Sequence, residues 1–550
     1  MIHNRAVVPL AAVAAACLLA SACAVGGADS APSGGRTAPV PVDASDSPPV
    51  PAGLEAFYGQ KPDWHSCDDD AAFQCATVKV PLDYDAPAGK TISLAVKKLP
   101  STSGNPIGTL LTNPGGPGGS GLEYVSQEGV FSDALRAGYD ILGFDPRGVG
   151  ESTPLTCLSP QEIEEAARGA LEAGEPTPAA QPQEDTAQEE MAAESAQDSE
   201  QAAAELAARC EQYSPVPEII DHMDTASVAR DLDVLRALSG DNRLHYLGTS
   251  YGTYLGARYA ELFPENVGRM VLDSAQDPAQ ENADNVVQQA EAIEKSLHAY
   301  VEHCQAGTDC PLTGGVASGV EQIGQLIQRA TATPLPSTVG EDVDGETLTS
   351  TLVDLMYDNS AWDLLTAALT PAINNGDGTA LAVIANPDLV DAEADPAELA
   401  QKQAREAANQ YAISAVDCLD YPVRGDEPQW DAQAEEIKRV APILGEGLGY
   451  ADAFCQGWGH HTDHQPGQIR ATGAAPILVV GITGDPATPY QWSQALVKQL
   501  DSARLLTVQG NGHGAYMRKG ECVDNAIDAY LLRGELPHKD LTCAEQVQQY

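Results

Sequence analysis

The stretch that decides the fold runs from residue 244 to residue 262 and reads LHYLGTSYGTYLGARYAEL. Its first four residues, LHYL, are typical of a buried strand, whereas TYLGARYAEL has the pattern of a helix. Between them GTSYG (248–252) forms a GxSxG motif, whose glycines allow a sharp turn that presents a serine hydroxyl at the sheet edge. The sequence therefore predicts Ser250 as a nucleophile. The alternative is an ordinary glycine-rich turn between a strand and a helix.

A nucleophilic serine needs a base and a carboxylate that orients the base, and two downstream segments supply candidates. PILVVGITGDPATP (476–489) runs from an apolar strand into a loop that contains Asp485, and RLLTVQGNGHG (504–514) ends another strand at His513. The chain order Ser, Asp, His is the order used by α/β-hydrolases. The alternatives are that Asp485 caps the next turn and that His513 merely occupies a loop.

An oxyanion formed at the serine needs backbone donors, and a glycine-rich loop after an early strand can provide one. LLTNPGGPGGSG (110–121) is such a loop, in which glycines let the backbone approach a substrate and prolines stiffen the chain. We expect the N–H of Tyr251 to act with that of Gly116, or else that of Gly115. A phosphate-binding loop is the alternative, but the GK[ST] signature is absent from this segment.

Short apolar runs alternate with segments of helical periodicity, such as TASVARDLDVLRAL (225–238). This alternation predicts an α/β fold with a mostly parallel central sheet. Together with the chain order Ser, Asp, His, we expect an α/β-hydrolase fold with a helical cap inserted between late strands. The strand candidates are Thr77–Pro81, Ile92–Lys98, Thr109–Thr112, Ile141–Phe144, Leu244–Gly248, Met270–Asp273, Ile477–Gly481 and Leu505–Gln509.

Two stretches interrupt the alternation and divide the chain. Residues 159–209 carry thirteen acidic residues against two arginines, which predicts a solvated helical excursion or spacer. Residues 279–470 are largely helical and separate two strands, so we expect a cap there. The hydrolase core then comprises residues 53–278 and 471–550.

The charge balance excludes some partners. The 550 residues include 30 Lys+Arg against 79 Asp+Glu, a net charge of -49. Such an anion repels nucleic acid phosphates and acidic lipid surfaces, so nucleic acid is not an expected partner. The 43% of hydrophobic residues is enough for a sizeable core.

The amino terminus predicts export. Arg5 precedes an apolar run, Ala6–Ala20, that is short for a membrane-spanning helix, so residues 1–22 are expected to be a signal peptide. The following Cys23 is a candidate for lipidation, with ordinary secretion as the alternative. Residues 23–52, rich in Gly, Ser and Pro, form a flexible tether. We expect a secreted or cell-surface protein, attached to a membrane only through a lipid at Cys23.

Ten cysteines follow the tether, and an even number in an exported chain indicates disulfides. They are Cys67, Cys75, Cys157, Cys210, Cys304, Cys310, Cys418, Cys455, Cys522 and Cys543. Pairing each with its neighbour would give five bridges, although the sequence alone leaves the connectivity open.

A metal site is not expected. No CxxC pair occurs, and the motif GHHTDH, which brings His460, His461, Asp463 and His464 together, reads as a solvated loop rather than a ligand set. A serine hydrolase requires no metal and no cofactor.

Several motifs together resemble one family, the exported tripeptidyl-aminopeptidase and prolyl-aminopeptidase group of α/β-hydrolase serine peptidases. They are NPGGPG (113–118), DPRGVGES (145–152), GTSYGTYLG (248–256), VLDSAQDP (271–278), GDPATP (484–489) and GHG (512–514). The resemblance implies a nucleophile at Ser250, an acid at Asp485 and a base at His513. Pro114 stands where related peptidases have the histidine of HGGPG, as in the tripeptidyl branch.

The resemblance also implies peptide substrates whose free amino group is bound with help from the cap, which requires a carboxylate. Asp417 and Asp420 are candidates, and Glu123 competes with them. The expected function is an exported serine exopeptidase that releases short peptides from the amino terminus. The alternatives are an exported carboxylesterase or other acyl hydrolase with the same triad, and a peptide-binding lipoprotein without catalysis.

Overall fold

The computed structural model describes residues 48–162, 195–340, 342–387, 396–463, 465–539 and 541–546. The predicted signal peptide, Cys23 and most of the tether lie outside these residues, as do residues 163–194 of the acidic insertion.

The described strands form one sheet in the order β1-β2-β3-β5-β4-β6-β7-β8-β9-β10. Pairing is antiparallel from β1 through β3 to β5 and parallel from β5 to β10. The predicted α/β class with a mostly parallel sheet is therefore confirmed. The strands are β1 (His65–Ser66), β2 (Gln74–Pro81), β3 (Thr91–Leu99), β4 (Thr109–Asn113), β5 (Asp140–Phe144), β6 (Leu244–Thr249), β7 (Val267–Asp273), β8 (Ile477–Gly484), β9 (Ala503–Asn511) and β10 (Thr542–Ala544).

The parallel register brings the carboxyl ends of several strands to one edge of the sheet. Thr249 pairs with Asp273 there, and Gly484 pairs with Asn511. The loops that follow β4, β6, β8 and β9 therefore meet at this edge, which is where ligands bind in open α/β sheets.

Helices flank the sheet and fill the region between β7 and β8. None of the described helices is long and apolar enough to cross a membrane. The helices are Glu55–Tyr58, Gly121–Ser126, Asp133–Gly138, Ala196–Tyr213, Thr225–Leu238, Tyr251–Leu262, Asn282–Ala306, Val316–Ala332, Gly345–Tyr357, Trp362–Asn375, Thr379–Ala385, Pro396–Asp420, Glu427–Val440, Ala451–Trp458, Tyr490–Gln499 and Glu521–Arg533.

Two apolar cores cover the two faces of the sheet, because successive side chains of a strand point to opposite faces. Leu272 of β7 belongs to the core shared with the helices Thr225–Leu238 and Tyr251–Leu262. Its neighbour Val271 belongs to the core shared with the helix Glu521–Arg533. Both faces of the central strands are thus buried, as the apolar runs in the sequence require.

The segment between β7 and β8 packs in two ways. Its first helices, from Asn282 to Ala385, have an apolar core of their own, which includes Leu297 and Leu352. The helix Pro396–Asp420 instead contributes Ala415 and its neighbours to the core of the sheet. This helix therefore lies directly on the hydrolase core, whereas the earlier helices form a separately packed body.

Five disulfides join each described cysteine to its neighbour in sequence. They are Cys67–Cys75, Cys157–Cys210, Cys304–Cys310, Cys418–Cys455 and Cys522–Cys543. The second closes the base of the acidic insertion, as neighbour pairing would require.

A buried ion pair holds the segment 145–152 against the core. Two guanidinium nitrogens of Arg147 donate to the carboxylate of Asp231 at 2.8 Å each, and both side chains are 0% exposed. The hydroxyl of Tyr84 donates to the same carboxylate at 2.7 Å. A buried pair of this kind is costly to break, since the remaining charge loses its partner.

We expect Arg147→Met to lower the free energy of unfolding by about 3–5 kcal/mol, because it leaves Asp231 charged and buried without a counterion. Urea denaturation followed by tryptophan fluorescence measures this change. Arg470→Met is the matched control, because the pair of Arg470 with Asp501 is exposed to solvent and its loss should change the free energy of unfolding little. Equal losses in the two variants would contradict the expectation.

Candidate active site

The backbone around Ser250 is closely packed. Ser250 lies between β6 and the helix Tyr251–Leu262 at φ 58° and ψ −126°, a backbone conformation that costs about 1–3 kcal/mol for a residue with a side chain. A Cβ on Gly248 would lie 2.3 Å from the carbonyl oxygen of Gly252, and one on Gly115 would lie 2.7 Å from Ser250 Cβ. Only glycine fits at these positions. Within the GxSxG motif the same holds for Gly252, where a Cβ would lie 2.6 Å from the carbonyl oxygen of Asn113.

His513 and Asp485 are in contact. His513 follows β9, and its Nδ1 lies 2.9 Å from Oδ1 and 3.1 Å from Oδ2 of Asp485. Asp485 is 3% exposed and also accepts the N–H groups of Ala487 and Thr488 at 2.9 Å and the Thr488 hydroxyl at 3.0 Å. This environment orients the carboxylate toward Nδ1 and leaves Nε2 as the nitrogen that can accept a proton.

The contact between nucleophile and base that would complete a catalytic triad is not made in this structure. Nε2 of His513 is buried and has no hydrogen-bond partner among the described residues, so it is not bonded to the hydroxyl of Ser250. Nucleophile–base contacts are often long without substrate and shorten when it binds. The structure thus brings Asp485 and His513 together and places Ser250 at the same edge of the sheet.

The loop 113–118 packs on the nucleophile turn. The N–H of Gly115 donates to Asn113 Oδ1 at 3.0 Å and is therefore occupied, whereas the N–H of Gly116 has no acceptor among the described residues. Tyr251 is the first residue of its helix, so its N–H has no acceptor within the helix. Of the two loop donors considered beside Tyr251, Gly116 is the one left free.

Two neighbouring segments hold this loop. The hydroxyl of Ser120, at the end of the loop, donates to Asp145 at 2.6 Å. From the other side, the helix Pro396–Asp420 approaches so closely that a Cβ on Gly118 would lie 2.4 Å from the carbonyl oxygen of Asn409. The loop is therefore enclosed between the segment 145–152 and a helix of the cap region.

The three carboxylates predicted to bind a substrate amino group differ in their surroundings. Asp420 is buried and accepts the N–H of Thr225 at 2.9 Å as well as its hydroxyl. Burial, together with the charge of Asp224, raises the pKa of Asp420 to about 8. Asp417 is half-buried, and burial raises its pKa to about 7. Its carboxylate has no hydrogen-bond partner among the described residues, while Glu123 is exposed to solvent.

A residue between β7 and β8 that the sequence did not reveal contacts His513. The N–H of His513 donates to the carbonyl oxygen of Tyr357 at 2.8 Å, and the two rings meet edge-on with centroids 5.4 Å apart. Tyr357 ends the helix Gly345–Tyr357, far from His513 in sequence. A backbone carbonyl leaves no residue-type signal, so no motif could have pointed to this contact.

A buried polar cluster lies next to the loop that carries His513. The ammonium of Lys519 donates to Asn359 Oδ1 at 2.6 Å and to Glu545 Oε1 at 2.8 Å. Glu545 also accepts the amide of Asn359 at 2.8 Å and the N–H of Asn511 at 3.1 Å. The cluster joins the cap, the strand end before His513 and the carboxyl-terminal segment.

The histidines of GHHTDH lie elsewhere. His460 Nδ1 is 2.7 Å from Asp221 Oδ1, and this carboxylate raises the pKa of His460. His464 is outside the described residues. Among the residues that the structure describes, no group of three or more His, Cys, Asp or Glu side chains could hold a metal ion.

Comparisons with known proteins identify the family of this chain. The family described as alpha/beta hydrolase fold matches residues 108–322, and the family described as TAP-like protein matches residues 441–543. Tripeptidyl aminopeptidase from Streptomyces coelicolor is 34% identical over 500 residues, which cover 88% of this chain and 86% of that protein. Serine protease Hip1 from Mycobacterium tuberculosis is 30% identical over 509 residues (89% and 92%). Carboxylesterase B from the same organism is 32% identical over 495 residues (88% and 89%).

The sheet, the strand-end serine and these matches define the chain as a serine hydrolase of the α/β-hydrolase fold. Within that class the chain belongs to the tripeptidyl aminopeptidase family of serine peptidases and is aminopeptidase-like. The family resemblance carried by the motifs is thereby confirmed.

We expect Gly115→Ala to lower kcat about 100-fold, because the new Cβ would lie 2.7 Å from both Ser250 Cβ and the Thr249 carbonyl oxygen and would displace the turn. Gly129→Ala is the matched control. Gly129 also has a positive φ, of 80°, but a Cβ there meets no atom within 4 Å. It should add only backbone strain, about 1 kcal/mol, and leave kcat unchanged. Steady-state hydrolysis of a chromogenic amide measures both, and equal kcat values would refute the close packing described here.

Proposed function

We propose that this protein is an exported exopeptidase that releases short peptides from the amino terminus of its substrates, with Ser250, His513 and Asp485 as catalytic residues. The observation that carries the proposal is the His513–Asp485 contact at the sheet edge where Ser250 is presented in a strained turn. Membership of a peptidase family supports a peptide bond as the target.

In the proposed reaction Ser250 Oγ attacks the scissile carbonyl carbon while His513 Nε2 takes its proton. Asp485 stabilises the resulting imidazolium through Nδ1. The carbonyl oxygen becomes an oxyanion that accepts the N–H groups of Tyr251 and Gly116. His513 then protonates the departing amine, and a water molecule activated by His513 hydrolyses the acyl-enzyme.

Recognition of the substrate's free amino group is assigned to Asp417. A half-buried carboxylate that has no hydrogen-bond partner among the described residues is unfavourable, and an incoming ammonium would compensate it. Asp420 is already engaged by Thr225, and Glu123 is exposed, so both suit this role less.

Export and cap position complete the proposal. The five disulfides support an oxidising compartment outside the cytoplasm. We propose a signal peptide at residues 1–22, a lipid anchor at Cys23 and a tether up to residue 52. The separately packed helices from Asn282 to Ala385 support a cap within residues 279–470.

An acyl hydrolase acting on esters is the second candidate, favoured by the relative named Carboxylesterase B. A panel of mono-, di- and tripeptidyl chromogenic amides, with free and blocked amino termini, tested beside p-nitrophenyl esters, separates the two. Turnover of esters alone would favour the esterase, and turnover of free-amine tripeptidyl amides favours the exopeptidase.

Ser250→Ala should abolish turnover of every substrate and labelling by a fluorophosphonate, because the nucleophile is lost. The rate falls to the background of the assay, while circular dichroism shows an unchanged fold. Ser126→Ala is the control, since the hydroxyl of Ser126 only donates to the Leu122 carbonyl within a short helix. Residual covalent labelling of the Ser250→Ala protein would show that another residue is the nucleophile.

The preference for a free amino terminus should depend on pH. Asp417, with its pKa raised to about 7, is protonated below that pH in the free enzyme and cannot pair with an ammonium. The ratio of kcat/KM for a free-amine substrate to that for its acetylated analogue should therefore rise with pH through about 7. It should fall again as the substrate amine, with a pKa of about 8, loses its proton. Taking the ratio cancels every pH effect that the two substrates share.

Asp417→Asn should flatten this ratio and remove most of the preference, whereas Glu123→Gln, which alters the exposed competitor, should keep the wild-type profile. An Asp417→Asn enzyme that retains the wild-type preference at every pH would refute the assignment of Asp417.

A further inference from the structure

The motif VLDSAQDP contains two adjacent buried polar residues, Asp273 and Ser274, that the proposed reaction does not use. Asp273 is the last residue of β7 and is 1% exposed, and Ser274 follows it at 0%. Ser274 has a φ of 57°, an unfavourable conformation for a residue with a side chain. A buried charge and a strained backbone at adjacent positions are both costly, and apolar packing alone requires neither.

Asp273 contacts the segments of both the nucleophile and the base. Its backbone carbonyl accepts the N–H of Ser250 at 3.0 Å. Its Oδ2 accepts the N–H groups of Ala515 and Tyr516, in the turn after His513, at 2.9 Å each. One residue therefore joins the nucleophile turn to the histidine loop.

Ser274 extends this junction toward the acid. Its hydroxyl accepts the N–H of Gly514 at 2.9 Å, so three consecutive N–H groups after His513 are held by Asp273 and Ser274. Its own N–H donates to the carbonyl oxygen of Val480 in β8, the strand that leads to Asp485. The strained φ of Ser274 accompanies contacts to two different segments.

The histidine loop needs such support. Gly512 and Gly514, on either side of His513, have φ values of 88° and 78°, a region in which glycine moves freely. Without fixed partners for residues 514–516 the imidazole would sample several positions. Displacement by about 1 Å of a catalytic group can cost about 100-fold in rate.

We propose that Asp273 is a positioning residue, which holds the loop after His513 at a fixed place relative to Ser250 through the two hydrogen bonds to its Oδ2. Ser274 assists with the bond to Gly514. Asp273 acts through the backbone of the loop and does not touch the substrate. The proposal rests on the proposed function only in that Ser250 and His513 react as a pair.

The two carboxylate oxygens of Asp273 have different surroundings, so the effect of its hydrogen bonds can be separated from the effect of its charge. Its Oδ1 is buried and has no hydrogen-bond partner among the described residues, whereas Oδ2 has two. Burial raises the pKa of Asp273 above its ordinary value. Asparagine has the same shape and retains one carbonyl oxygen that can accept both N–H groups, so Asp273→Asn removes the charge and keeps the proposed function of the side chain.

The test compares Asp273→Ala with Asp273→Asn. For each variant it measures kcat and KM on a chromogenic amide and, separately, the second-order rate constant for fluorophosphonate labelling of Ser250. We expect Asp273→Ala to lose about 10–100-fold in kcat with little change in KM, and to be labelled correspondingly slowly. Asp273→Asn should recover most of both rates. Asp241→Ala is the matched control, because Asp241 accepts the N–H of Thr109 at 2.7 Å at the opposite edge of the sheet. It should lower thermal stability and leave kcat unchanged.

Either of two results with the Asp273 variants would overturn the proposal. If Asp273→Ala labels as fast as Asp241→Ala, the carboxylate does not position the histidine loop. If Asp273→Asn is as slow as Asp273→Ala, the negative charge matters and not the hydrogen bonds. If Asp273→Ala does not fold, Ser274→Gly decides, since glycine tolerates a φ of 57° and removes only the acceptor of Gly514. Slower labelling of that variant supports the proposal, and wild-type labelling overturns it.

The labelling readout separates this proposal from the proposed function. Ser250 reacts with a fluorophosphonate whether the natural substrate is a peptide or an ester. A wild-type protein that labels normally but cleaves no peptide would refute the exopeptidase and leave the role of Asp273 open to measurement.

Discussion

Ser250 has a φ of 58°, and the segments packed around it hold its backbone in this conformation. Gly248 and Gly252 close the turn on itself, and Gly115 presses on Ser250 from the neighbouring loop. A conformation that costs about 1–3 kcal/mol persists only where the surrounding structure over-determines it. The parallel sheet provides these surroundings, since β4 and β7 lie on either side of β6 and the residues after their carboxyl ends pack against the turn.

Everything else at the site is arranged relative to that turn. The loop of β4 supplies the N–H of Gly116, which has no acceptor among the described residues, and the junction at Asp273 ties the turn to the loop of His513. Asp485 is in turn fixed by donors from its own loop. The electrostatic groups are therefore preorganised by backbone hydrogen bonds, which cost no reorganisation during a reaction.

The sequence predicted the parts of this arrangement that have a local signature. Ser250 was recognisable from glycines on either side of it, and its relation to Asp485 and His513 from strand ends in a fixed order. β1 and β10 were missed because two or three residues carry no periodicity. The choice between Gly115 and Gly116 depended on a side-chain hydrogen bond, and such long-range geometry leaves no trace in residue type.

The contact between the carbonyl of Tyr357 and the N–H of His513 has a consequence for how this architecture can be varied. The helix Gly345–Tyr357, in the segment between β7 and β8, contributes a structural bond to His513, and the Lys519 cluster reinforces the same junction. This segment is thus not independent of the hydrolase core. Grafting a foreign cap onto this core, or evolving a shorter one, would also have to reproduce a backbone acceptor beside the imidazole. Changes in the segment between β7 and β8 are therefore most easily tolerated in helices remote from Tyr357.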